Sequence, residues 1–116
     1  MREYMLLLYD SPTGAPDLSP EEMQRIIEKY QAWSEKLRSA DRYVGGSKLT
    51  DGDGRVVRRD DDGVRVLDGP YSETKEVVGG YMAIRADSYQ EAVELCRDCP
   101  HLGFGGTIEI REIETQ

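Results

Sequence analysis

The chain has 116 residues, fewer than the roughly 150 typical of one domain, so residues 1–116 are expected to form a single unit with no room for a second. A formal charge of −8 argues against broad contact with phosphate backbones, which requires clustered Lys and Arg, and therefore against nucleic acid or an anionic membrane as a partner. Apolar side chains make up 38%, enough for a core, and no apolar run approaches the roughly 18 residues of a spanning helix; with no signal-peptide core and too few cysteines for a disulfide scaffold, the expectation is a cytoplasmic protein.

Tyr4 to Tyr9 is continuously apolar and is bounded by Asp10-Ser11-Pro12, which predicts a central strand buried on both faces. Ser19-Pro20-Glu21-Glu22 offers an N-cap serine, a proline at the first helical position and a glutamate placed to close a capping box. The helix that follows carries Met23, Ile26, Ile27, Tyr30, Trp33 and Leu37 at steps of three and four, a single apolar stripe. Asp51-Gly52-Asp53-Gly54 and Asp62-Gly63 are turn sequences around Arg55–Arg59 and Val64–Leu67, which predicts a hairpin. After Gly79-Gly80, Tyr81 to Ala86 alternates, with Met82 and Ile84 on one face. Asp87 or Ser88 then opens a second helix that Pro100 ends, and Thr107 to Ile113 alternates as a last strand.

Two amphipathic helices must cover one sheet face, the one lined by Met82, Ile84, Ile108 and Ile110. The other face then carries Tyr81, Ala83, Thr107 and Arg111 beside large hydrophobes of the first strand, more apolar surface than a monomer leaves in water. The simplest cover is the same face of a second copy: a two-fold homodimer whose sheets enclose a mixed apolar and polar space able to hold a small molecule.

Asp68 stands in an Asp-Gly-Pro turn, where it is either a solvated loop carboxylate or, at the mouth of the inter-sheet space, a general base or an orienting group. His101 is the only histidine; it either caps a helix end or carries a proton, which requires it to reach Asp68 or a ligand. Lys75 and Arg111 could anchor an anion, and Tyr9, Tyr71 and Tyr81 could wall a pocket or donate to a ligand. Cys96-Arg97-Asp98-Cys99 closes a helix rather than opening one, where the dipole disfavours a thiolate, so these cysteines read as structural. A single histidine leaves no metal triad, and no glycine run has phosphate-cradling spacing, so neither metal nor cofactor is expected.

Asp68-Gly69-Pro70-Tyr71 with Glu73-Thr74-Lys75-Glu76, Gly79-Gly80-Tyr81, Cys99-Pro100-His101-Leu102 and Gly105-Gly106-Thr107-Ile108-Glu109-Ile110-Arg111 resemble the YCII-related proteins, in particular the branch of DGPF-domain proteins. The Tyr4–Tyr9 start and the Ser19–Glu22 helix opening resemble that branch too. The resemblance implies a ferredoxin-like βαββαβ α+β unit with an antiparallel sheet that dimerises into an α+β barrel, and a histidine and an aspartate meeting in a pocket. Here Tyr71 replaces the phenylalanine of the branch name, and the first helix, where YCII proteins place their histidine, has none. Only His101 could stand in. The resulting expectation is a homodimer with an inter-sheet small-molecule pocket, doing cofactor-free acid-base chemistry such as isomerisation or elimination through Asp68 and His101. The alternative is a non-catalytic regulatory module whose acidic surface binds a protein partner.

Overall fold

A computed structural model describes residues 1–11, 17–69 and 77–115. In chain order the elements are β1 (Arg2–Tyr9), α1 (Pro20–Ser39), β2 (Tyr43–Lys48), β3 (Gly54–Asp60), β4 (Gly63–Gly69), β5 (Val78–Ala86), α2 (Tyr89–Cys96), α3 (Pro100–Gly103) and β6 (Thr107–Glu112). Four strands form one antiparallel sheet in the order β2-β5-β1-β6, and β3 with β4 form a separate two-stranded sheet. This is the ferredoxin-like α+β arrangement, with a long hairpin inserted between β2 and β5.

Both long helices begin where the sequence predicts. Glu22 N–H donates to Ser19 Oγ and the Glu22 carboxylate accepts from Ser19 N–H, closing the capping box of α1. Ser88 caps α2 by accepting from Glu91 N–H. Two elements differ from expectation. α2 ends at Cys96, and Pro100, rather than terminating that helix, opens the short α3, because a proline at the first helical position sacrifices no intrahelical bond. β2 forms in a Tyr-Val-Gly-Gly-Ser-Lys segment that neither alternates nor favours strand, since β5 offers it a ladder of unpaired backbone groups.

The register fixes which side chains share a face. Leu6 lies opposite Met82 and Ile110, and Tyr4 opposite Ile84, so these residues point together toward the helices. They pack with Trp33 and Leu37 of α1 and Ala92 and Cys96 of α2 into the buried core. On the other face Met5, Leu7 and Ala83 are half-buried and Tyr81 is exposed, with no helix of the described residues above them. A two-layer body of this kind is thin, which fits the shortest molecular extent of 18 Å.

The apolar stripe of α1 is sealed only at its C-terminal half. Trp33 and Leu37 are buried, whereas Met23 and Ile27 are 46% and 41% exposed. The cause lies in the sheet. Gly46 lies opposite Met82 and Gly80 opposite Leu8, so two positions on the helix-facing side carry no side chain to meet the first turns of α1.

Candidate functional site

His101 is placed by α3. Its ring is 9% exposed, and both nitrogens are engaged: Nε2 lies 2.6 Å from the Tyr9 carbonyl oxygen and Nδ1 3.1 Å from the Tyr30 hydroxyl. A carbonyl oxygen can only accept, so Nε2 carries the proton, and in the neutral imidazole Nδ1 is left as acceptor for the Tyr30 O–H. Three elements therefore converge on one ring: the end of β1, the middle of α1, and α3. Gly106 backs it, with its N–H bonded to the His101 carbonyl at 3.1 Å; a Cβ at Gly106 would overlap the imidazole.

Tyr30 and His101 border a cavity of about 640 Å³ between α1 and the β2–β5–β1 part of the sheet. Ile27 and Tyr43 supply apolar wall, and Gly46 and Gly80 leave the strands bare beneath it. Asp10 closes the end nearest Tyr30. Its carboxylate lies against the Gly79 α-carbon, where a side chain would collide with it, and its N–H donates to Val77 O at 2.8 Å. Burial pushes the Tyr30 phenol up to about 12, with the charges of Cys99 and Asp10 adding to the shift. Tyr30 thus stays protonated across the neutral range, and its hydroxyl can pass a proton on only as it receives another.

The cations at the cavity rim are paired. Arg38 binds Glu35 at 3.2 Å and stacks its guanidinium 4.4 Å from the Tyr43 ring, and Lys48 binds Asp51 at 3.0 Å. Behind His101 the two cysteines are free and buried, with their thiols pushed up by burial to about 12 for Cys96 and about 11 for Cys99. They pack as small hydrophobes, and reactive thiolates would require the opposite shift. Among the described residues no group of three or more His, Cys, Asp or Glu side chains converges as a metal site would.

Of the residues singled out in the sequence, His101 reaches the cavity and Asp68 does not. Asp68 is on β4 of the hairpin, its side chain 97% exposed, 3.8 Å from Arg55 across the ladder. The expected His101–Asp68 pair is not made within this chain, because a two-stranded ribbon holds Asp68 away from α3. The chamber expected between the sheets of two copies needs a second chain to form; within one chain a cavity lies on the helix side of the sheet. Tyr9 does serve the site, but through its backbone carbonyl, while its hydroxyl donates to Glu109 at 2.7 Å. Tyr81 borders the cavity, and Arg111 lies exposed on β6 opposite Met5, away from it. Lys75 and Tyr71 lie outside the described residues. Tyr30 and Asp10 are the site residues that periodicity hides, one inside an apolar helical stripe and the other as the polar stop of a strand. The signal available for Tyr30 was its hydroxyl, which a purely apolar stripe has no use for.

An antiparallel sheet, one covering helix layer and a buried, doubly hydrogen-bonded histidine at a cavity define the class: a small α+β protein with a polar end to a largely apolar pocket. The chain matches the YCII-related domain over residues 2–115 and belongs to that family. It is also similar to Uncharacterized protein R00369 of Rhizobium meliloti (strain 1021), at 28% identity over 112 residues that cover 95% of this chain and 90% of that one.

Proposed function

We propose that this YCII-related protein binds a small molecule in the cavity beneath α1 and moves a proton on it without a cofactor, with Tyr30 and His101 as a relay. The observation that carries this reading is the buried imidazole whose Nδ1 accepts from the one hydroxyl it shares with the cavity wall. In the forward step a ligand C–H bond breaks, its proton passes to the Tyr30 oxygen, and the Tyr30 proton passes to His101 Nδ1. The electron pair stays on the ligand as an enolate-type anion. Return of the proton at another carbon completes an isomerisation, and departure of a leaving group with that electron pair completes an elimination. The Tyr9 carbonyl holds Nε2–H and stabilises the imidazolium that forms. Asp68 has no part in this step.

The same reading places the chain in the DGPF branch, on Asp68-Gly69-Pro70 and the Gly79-Gly80-Tyr81 segment, and in the cytoplasm, on composition. It pairs two copies through the sheet face that no helix of the described residues covers, where Met5, Leu7 and Ala83 are only half-buried. The proton-transfer reading is tested by screening small carbonyl compounds for thermal stabilisation and then for incorporation of solvent deuterium. A ligand at 100 times its dissociation constant adds about 2.7 kcal/mol. Tyr30→Phe and His101→Asn are expected to slow exchange by about 10²–10⁴ while leaving the stabilisation in place. Exchange at the wild-type rate in both variants would remove the relay.

A further inference from the structure

The cavity also constrains what it can hold, and this inference rests on the reading of it as a ligand site. Gly46 and Gly80 border the cavity from adjacent strands and put no side chain into it; at Gly46 a Cβ would meet Tyr81 O at 2.6 Å, so glycine there also lets β2 lie close to β5. A Cβ on Gly80 would stand 3.2 Å from Ser47 O, tighter than an ordinary contact, and 3.8 Å from the Leu8 side chain, so a side chain here would press on β2 as well as on the floor. Glycine inside a strand weakens it, and one use of that cost is to let another group lie against the backbone. Tyr43, stiffened by the stacked Arg38 guanidinium, supplies an aromatic wall beside this floor.

Charge argues as strongly as shape. The carboxylates and cationic side chains bordering the cavity are Asp10, Glu35, Arg38 and Lys48, two of each sign. Both cations are engaged, Arg38 by Glu35 and Lys48 by Asp51. Asp10, beside the relay, makes no hydrogen bond or ion pair through its carboxylate with a described residue. An anion entering here would meet no free cation among the described residues and one exposed carboxylate with no described counter-charge, so like-charge repulsion opposes it. A neutral group that donates a hydrogen bond would satisfy Asp10 and still accept from or donate to Tyr30.

We infer that the ligand is an uncharged, flat-ringed molecule, lying on the Gly46–Gly80 floor against Tyr43, with a hydrogen-bonding substituent at the Asp10–Tyr30 end. Carboxylate, phosphate and puckered saturated analogues are excluded by the same geometry.

Three probes of matched size test this by calorimetry at pH 7: 2-naphthamide (flat, neutral), 2-naphthoate (flat, anionic) and decahydro-2-naphthamide (neutral, puckered). 2-Naphthamide is expected to bind at least tenfold more tightly than either of the others. Gly80→Val, which raises the floor, and Ile27→Trp, which fills the wall from an exposed helix position that the core does not need, are each expected to weaken it at least tenfold. Ile27→Trp keeps the test valid if Gly80→Val does not fold, and Val57→Ala on the hairpin is expected to change nothing. Equal or tighter binding of 2-naphthoate, or equal binding of the decahydro compound, overturns the inference, as does 2-naphthamide binding that Ile27→Trp leaves intact or the binding of no probe. Each of these outcomes is distinct from failure of the proton relay, which is read separately as deuterium exchange that Tyr30→Phe does not slow.

Discussion

The sheet-and-helix body and the β3–β4 hairpin treat their functional-looking residues in opposite ways. In the body His101 is buried and held by both nitrogens, whereas on the hairpin Asp68 is 97% exposed and Val57, Val64 and Val66 are each more than 60% exposed. The hairpin projects: the radius of gyration of 16.2 Å exceeds the roughly 13 Å expected of a compact chain of this length. Two strands alone can exclude water from neither face. A carboxylate there meets solvent that screens it, while a histidine pinned between two layers meets fixed partners. The conspicuous Asp-Gly-Pro sequence is thus the weaker site, and the lone histidine after Pro100 the stronger one, because a second layer of structure and not the motif creates a chemical environment.

The sharpest way to break this comparison is to delete apolar side chains from both regions. Leu6→Ala, at a fully buried position, is expected to lower unfolding free energy by about 2–5 kcal/mol in urea titrations. Val57→Ala on the hairpin is expected to stay within about 0.5 kcal/mol. If Val57→Ala proved as costly as Leu6→Ala, the hairpin would have to be covered in solution, and a second copy of the chain would be the first cover to look for.

A smaller effect sharpens the body side. Gly106→Ala introduces a methyl group into the space of the His101 imidazole, and overpacking of this kind costs about 1–3 kcal/mol. The ring should lose its bond to Tyr9 O, visible as a shift of the His101 ring resonances, with relay activity falling alongside. Gly103→Ala, where an added Cβ meets open space, serves as the control and should leave the ring in place. Unchanged ring resonances in Gly106→Ala would mean that Gly106 does not hold the imidazole in place.

Most of the fold is legible in the sequence because the caps and periods agree with the packing. Ser19 and Ser88 cap the helices they precede, and the Met82/Ile84 alternation selects the buried face. β2 is not legible, since its glycines carry no pattern and the strand exists only through its pairing with β5. The site is half legible for a related reason. His101 stands out as a unique residue in a loop-like segment, but Tyr30 and Asp10 gain their roles from the missing side chains of Gly46, Gly79 and Gly80, a negative feature on strands distant in sequence. Asp68 misleads because a turn sequence reports local backbone and nothing of what lies across from it.

A further comparison separates the regions by pH. The Cys96 and Cys99 thiols ordinarily titrate near 9.0 and the Tyr30 phenol near 10.0, and burial in the body pushes them up to about 12, about 11 and about 12. Above pH 9 the unfolded chain therefore releases protons that the folded chain retains, so unfolding free energy falls as pH rises. The stability these groups contribute is complete below about pH 9 and is lost progressively as pH climbs through 11 to 12. The hairpin, residues 54–69, contains no cysteine, tyrosine or lysine and adds nothing to this slope. Denaturant titrations at pH 8, 9, 10 and 11 should show a decline in the wild type that Cys99→Ala and Cys96→Ala each flatten, since each removes one raised group. Tyr30→Phe should flatten it less, because Tyr30 is only half-buried and water screens part of its shift. An alkaline slope as steep in Cys99→Ala as in the wild type would show that the thiols behind His101 are open to solvent, and with them the layer that gives the histidine its environment.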